Sequence, residues 1–271
     1  MIEERERSEL TPPRAASSSL AADTRSVFVR EMSLILRDPF SVIFSIVQPL
    51  VFLALFGPLL AGSIDPAAIG GASPLQWFLP GVIVMICLFG TSTAGSNLLF
   101  EISLGSYERV LASPIHRSSI LIGRSLKELA PLVVQATLIT LVAIPFGFTL
   151  YPLHAFAGAL LLGVFGVGMG AFSNALAIAS RKREWMFWAV QQSLLFPLLI
   201  LSGMLLPLEA GPRWIQVLGR FNPLTYIVGA ERSLFSGTFN DSAIGWAVLA
   251  AVITCAAGLW VGVRQVGRST T

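Results

Sequence analysis

Charged side chains are scarce in this 271-residue sequence: Asp, Glu, Lys and Arg together make 12% of it, against about 25% in soluble domains. Hydrophobic residues make 54%, and the mean hydropathy is +0.75. That composition belongs in a membrane. Cysteine is nearly absent. Cys87 and Cys255 each lie in an apolar run without a CxxC partner or a nearby histidine, which favours two small buried residues over a redox or metal role. The two histidines, His116 and His154, fall in separate loops. No HExxH or related zinc spacing occurs, and no GxxxxGK[ST] loop is present to cradle nucleotide phosphates. The acids beside the long apolar runs, Glu101, Glu128 and Glu184, stand at run ends. The lack of a mid-run carboxylate argues against an ion-driven carrier, in which buried acids relay the ion. Energy for any work is expected to come from outside the chain.

What is there is a series of long charge-free runs. They predict an all-α integral membrane fold with six spans, at about 40–62, 77–100, 118–146, 154–180, 185–207 and 243–263, each near the 20 or so residues a bilayer demands. Pro145, Gly147 and Pro152 divide the run 129–180, which is too long for one crossing. Trp77 marks an interface. Residues 1–22 read as a disordered tail, with four glutamates, two prolines and a serine run, and 265–271 as a second tail. Between them, 23–264 form the membrane domain.

With six spans both termini share a side. Fifteen basic residues then fall on that side and three, Arg213, Arg220 and Arg232, on the other. This asymmetry predicts cytoplasmic termini. Residues 23–37 read as an amphipathic interfacial helix whose Arg25, Arg30 and Arg37 lie among lipid phosphates; a soluble lead-in to the first span is the alternative.

Residues 101–128 are the one extended charged island among the spans. Within it Tyr107, Val110 and Leu111 share a face of a short helix, while Glu108 and Arg109 point elsewhere. Pro114 stops the helix at Ser113. Two turns are not stable alone in water, so this helix is expected to be held by its own membrane helices or by a groove on a soluble partner.

On the opposite side, 212–237 contains two amphipathic pieces divided by Asn222–Pro223. Trp214, Val217, Leu218 and Phe221 form one stripe, and Leu224, Ile227, Val228, Leu234 and Phe235 the next. Neither piece is long enough to cross, and Glu231 and Arg232 would each cost about 2.5–3.5 kcal/mol at the bilayer centre. A re-entrant helix pair fits, with a surface-lying hairpin as the alternative. Mid-span polar residues are mostly helix–helix glue. Gln48, Asn97, Gln191 and Gln192 are the candidates for a substrate path. The Gly166-x-x-x-Gly170 spacing points to close packing within one subunit.

The order of these pieces resembles the type-2 class of ATP-binding-cassette transporter permeases, and most closely the daunorubicin-resistance-like exporter permeases. The likeness covers about residues 25–265. Glu108, Arg109, Ser113, Pro114 and Arg117, within GSYERVLASPIHRSSILIGRS (105–125), are similar to that family's cytoplasmic coupling helix, here 105–115. Asn222-Pro223-Leu224-Thr225 followed by Glu231-Arg232 is similar to its outer re-entrant signature. The resemblance implies a permease that pairs with a copy or a sister permease in the bacterial plasma membrane. It implies no catalytic, cofactor or metal site in this chain, with ATP and Mg bound by two separate ATPase subunits. Those subunits would touch Tyr107, Glu108, Arg109, Val110, Leu111, Ser113, Pro114, His116 and Arg117. The cargo implied is a hydrophobic drug, natural product or lipid-like molecule, or, in the second place, a glycan. Two readings from other classes stay open at this point: a membrane scaffold that recruits a cytoplasmic enzyme, and an ion-driven secondary carrier.

Overall fold

The computed structural model describes residues 19–37, 39–63, 72–106 and 117–268. Among these, all regular structure is helical. The helices are α1 (Leu20–Arg37), α2 (Pro39–Ser63), α3 (Pro74–Ser103), α4 (Arg117–Lys127), α5 (Leu129–Ala143), α6 (Pro152–Ala179), α7 (Glu184–Ile200), α8 (Arg213–Phe221), α9 (Pro223–Phe235) and α10 (Ser242–Arg268). Four of them, α2, α3, α6 and α9, open on a proline. Its fixed φ suits the first turn, where its missing N–H is no loss. Four stretches are long and apolar enough to cross a membrane: Pro74–Ser103, Ser118–Phe146, Pro152–Ala179 and Ser242–Gly267. The second of these joins α4 and α5 through a turn at Glu128. Pro131 explains that turn, because it has no N–H to donate to the Lys127 carbonyl.

α3 is the central element, with Phe78 to Leu88 buried on all sides. It packs against α6, α9, α2 and α5. α6 in turn lies along α10, the most extensive helix pairing in the molecule. Gly168 and Gly258 make that pairing possible: a Cβ on Gly168 would come within 2.6 Å of the Cys255 Cα, and one on Gly258 would overlap the Gly168 carbonyl. The other glycines of α6 face different neighbours, Gly166 towards Cys87 and Gly170 towards Ser125.

Several boundaries differ from those the sequence predicts. The first helix begins at Leu20, inside the predicted tail 1–22, because the Ser19 hydroxyl accepts from the Ala22 N–H at 3.2 Å. The last helix runs on to Arg268, through the first part of the predicted tail 265–271. α7 ends at Ile200, short of the predicted 207. Side chains from α9 occupy the carbonyls around that end. Asn222 Nδ2 donates to the Leu198 carbonyl (2.7 Å), and Thr225 Oγ1 to that of Leu201 (2.9 Å). Gly203 then turns the chain at φ +72°.

Candidate substrate cavity and charge network

The polar groups of the bundle gather at its two ends and along one cavity. At the end carrying α1 and α4, Arg124 and Lys127 of α4 meet three acids. Lys127 Nζ lies 2.8 Å from Glu31 Oε2, and Arg124 Nη2 lies 3.3 Å from Glu31 Oε1. Arg124 also pairs with Glu101 at the foot of α3, and Glu128 stands 3.8 Å from Lys127. Glu31 is only 2% exposed. Burial pushes its carboxyl up, but Arg124 and Lys127 outweigh that and hold it below the usual carboxylate range. The helices approach closely enough for this because Gly123 of α4 faces Val27 of α1; a Cβ there would lie 2.9 Å from Val27. Ser119 Oγ adds a bond to the Leu20 carbonyl, 3.1 Å. The network therefore ties α1, α3 and α4 into one unit.

Arg25, Arg30 and Arg37 are exposed on α1. Glu31, next to Arg30 on the same helix, is buried. Sequence reasoning missed it, although Asp23, Val27 and Glu31 recur every four residues and all three are buried. Tyr107, Glu108, Arg109, Val110, Leu111, Ser113, Pro114 and His116 lie outside the described residues; Arg117 opens α4.

A cavity of about 620 Å³ starts at this charged end, where Glu31, Glu101, Lys127 and Glu128 line it. It runs between α2, α3, α5 and α7 to apolar walls at Met85, Ile86 and Leu132. Gln48, Asn97, Gln191 and Gln192 all line it, so residues from three helices that are distant in sequence meet on one surface. Gln191 is fixed by a 3.3 Å bond from Nε2 to the Ser92 carbonyl. Its Oε1 is buried with no hydrogen-bond partner, which leaves an acceptor for a bound molecule.

At the far end, Asn222 caps α9 by accepting from the Leu224 N–H at 3.0 Å. The apolar stripe of α8 (Trp214, Val217, Leu218, Phe221) faces out of the protein, whereas that of α9 is buried. Arg232 stacks its guanidinium 3.6 Å over the Trp77 ring. It also donates to the carbonyls of Trp77 (3.2 Å), Gly203 (2.9 Å) and Met204 (3.2 Å). Trp77 is thus a cation–π platform as well as a helix-start aromatic. Pro223 begins α9. Glu231, its side chain fully buried, lies within the helix bundle. The expectation that carboxylates stay at run ends missed it because α9 is too short and too mixed to register as part of the membrane body.

Against this geometry, the family model described as ABC-2 type transporter matches residues 22–236. The chain belongs to that family. Relatives include the ycf38 transport permease of Cyanophora paradoxa, 31% identical over 204 residues, or 74% of this chain and 69% of the relative. The protein of Streptomyces coeruleorubidus named daunorubicin resistance ABC transporter permease protein DrrB1 is 27% identical over 83% of this chain and 79% of its own. A Mycobacterium tuberculosis protein named as the doxorubicin resistance ABC transporter permease DrrC is 25% identical over 84% of this chain and 83% of its own. Membership of the ABC-2 family makes the chain a multi-pass membrane permease of an ABC transporter, and it implies an ATPase partner. Two of these relatives carry drug-resistance names, and an Escherichia coli relative carries a multidrug transporter name.

Proposed function

We propose that this ABC-2 permease exports a hydrophobic drug, natural product or lipid-like molecule from the cytoplasm or inner leaflet. The observation that carries this reading is the cavity of about 620 Å³. It is polar and charged at the end carrying α1 and α4, apolar at its inner walls, and lined by Gln48, Asn97, Gln191 and Gln192. Such a gradient suits an amphiphile, which needs both a wet mouth and a dry wall. It suits a glycan less well, because a sugar offers little to Met85, Ile86 and Leu132.

In this reading the chain crosses six times. α2 and α7 join the four longer spans, both termini are cytoplasmic, and α8 and α9 form the re-entrant pair on the outer side. The permease works as a pair, as a homodimer or with a sister chain, and two ATPase subunits bind ATP and Mg. The segment 105–115 docks in a groove of the ATPase, with Tyr107, Val110 and Leu111 as its apolar grip and Glu108, Arg109 and Arg117 setting orientation. Ser113, Pro114 and His116 complete that contact. The bond from Lys127 and Arg124 to Glu31 supports this, since a push on 105–115 reaches α1 and α4 through buried ion pairs.

The test is ATP-dependent, vanadate-sensitive efflux of a fluorescent amphiphile from cells expressing the tagged permease with its copurifying ATPase. Asn97→Ala with Gln191→Ala is expected to lower efflux about tenfold, a loss of ~1.4 kcal/mol, with the protein still in the membrane. Tyr107→Ala with Leu111→Ala is expected to uncouple ATP hydrolysis from efflux. Unchanged efflux in the first pair sinks the cavity as the route. Unchanged coupling in the second sinks the docking segment. An ATPase that copurifies while nothing is exported points to the scaffold reading instead.

A further inference from the structure

Glu231 has an unusual setting. Its side chain is fully buried, and neither carboxyl oxygen has a hydrogen-bond partner. Among the described residues no ion pair reaches it. The neighbouring Arg232 gives no relief, because its guanidinium is committed to Trp77 and to the carbonyls of Gly203 and Met204. Room for the carboxyl is kept by Gly158 of α6, where any Cβ would overlap Oε2.

The carboxyl borders a second cavity, of about 290 Å³, between α3, α5, α6 and α9. Ile83 and Leu132 give it apolar walls, and Thr137 and Thr140 supply hydroxyls. The Thr140 hydroxyl donates to the Ala136 carbonyl at 2.7 Å, which leaves its lone pairs free to accept. At the rim stand Leu141 and Phe156, 51% and 69% exposed, on the apolar surface of two membrane-length stretches. The cavity therefore opens sideways, towards hydrocarbon, and shares the Leu132 wall with the larger cavity. A carboxylate cut off from water and unpaired is strongly disfavoured. Besides a proton, what corrects this is a group that brings positive charge and N–H donors on an apolar body. A protonated amine attached to a hydrophobic skeleton does both.

We propose that Glu231 and this side cavity form a binding site for the ammonium group of an amphipathic amine arriving from the bilayer. The amine donates to the Glu231 carboxylate and to the Thr137 and Thr140 oxygens, while its skeleton lies along Ile83 and Leu132. The proposal rests on the membrane placement given above but not on the export route. It is tested by equilibrium binding without ATP, so failure of efflux leaves it standing.

The experiment titrates the purified full-length chain in dodecyl maltoside with dansylcadaverine, a primary amine on an apolar fluorophore, and with its neutral N-acetyl derivative. The amine is expected to bind about tenfold or more tightly than the acetylated form. Glu231→Gln, which keeps the side-chain volume, is expected to erase that difference. Thr137→Phe, which fills the cavity and leaves the carboxyl in place, is expected to weaken both probes. Equal binding of the two probes to the unaltered protein overturns the proposal, and so does a preference that survives in Glu231→Gln. Should Glu231→Gln not fold, amine affinity unchanged in Thr137→Phe overturns it instead. Added phosphatidylethanolamine separates two sources of the same chemistry: displacement of dansylcadaverine assigns the site to a lipid amine, and no displacement assigns it to a free amphiphile.

Discussion

Both ends of this bundle bury acids and bases, but they treat them differently. Where α1, α3 and α4 meet, Glu31, Glu101, Arg124 and Lys127 satisfy one another at close range. At the other end, on α9, Glu231 and Arg232 are neighbours in sequence yet do not pair. Arg232 takes three backbone carbonyls and a tryptophan face, and Glu231 takes nothing. A network of opposite charges holds helices in a fixed relation, since removing a member leaves a buried charge with fewer partners. An arginine clamped on carbonyls fixes only the turn it bonds. An unpaired acid beside it contributes no stability, and the amine proposed above would account for its presence.

The contrast can be broken first at the paired end. Arg124→Ala strands Glu101 and leaves Glu31 with Lys127 alone, and is expected to cost about 3–5 kcal/mol, read as a large fall in the apparent melting temperature of the solubilised protein. At the far end Arg232→Ala removes charge-assisted bonds to carbonyls and is expected to cost about 2–3 kcal/mol. Its mark is a loosened α7–α9 junction, visible as faster amide exchange around Leu201–Met204. Acid pH should loosen the paired end more gently. Glu31's carboxyl is held below its ordinary value, so its contribution is complete above the ordinary carboxylate range and drains as pH falls through the depressed one. Exchange across α1 should rise there, and Glu31→Gln should remove that dependence on pH. The smallest effect is expected from Glu231→Gln, within about 0.5 kcal/mol of the parent or slightly stabilising, because no bond is lost. A loss as large as that of Arg124→Ala would mean that Glu231 is structurally paired, and the comparison would fail.

The long apolar stretches were readable from the sequence because charge was missing from them, and α3, α6 and α10 occupy such runs. The break at Asn222–Pro223 was also readable, since an N-capping residue before proline is a local signal; the structure places it between α8 and α9. The true end of α7 was not readable. It depends on Asn222 and Thr225 reaching across some two dozen residues to its last carbonyls. Glu31 and Glu231 were hidden for a related reason. Local patterning assigns an acid to the wet face of its helix, and only the partner helix reveals otherwise: α4 brings cations to Glu31, and α6 brings Gly158 to Glu231. Gln48, Asn97, Gln191 and Gln192 were picked one by one for their polarity, and their convergence on one cavity belongs to the packing of α2, α3 and α7.

The contact of Gly168 with Gly258 bears on how such a machine can move. Two helices that touch main chain to main chain have no cushion of side chains to reshuffle, and so no second resting position to step into. α6 and α10 must travel as a single strut, with α3 braced along it. In the export reading, the movement then falls to the more lightly attached α2 and α7, and α2 carries Pro49 and Pro58 inside its ladder.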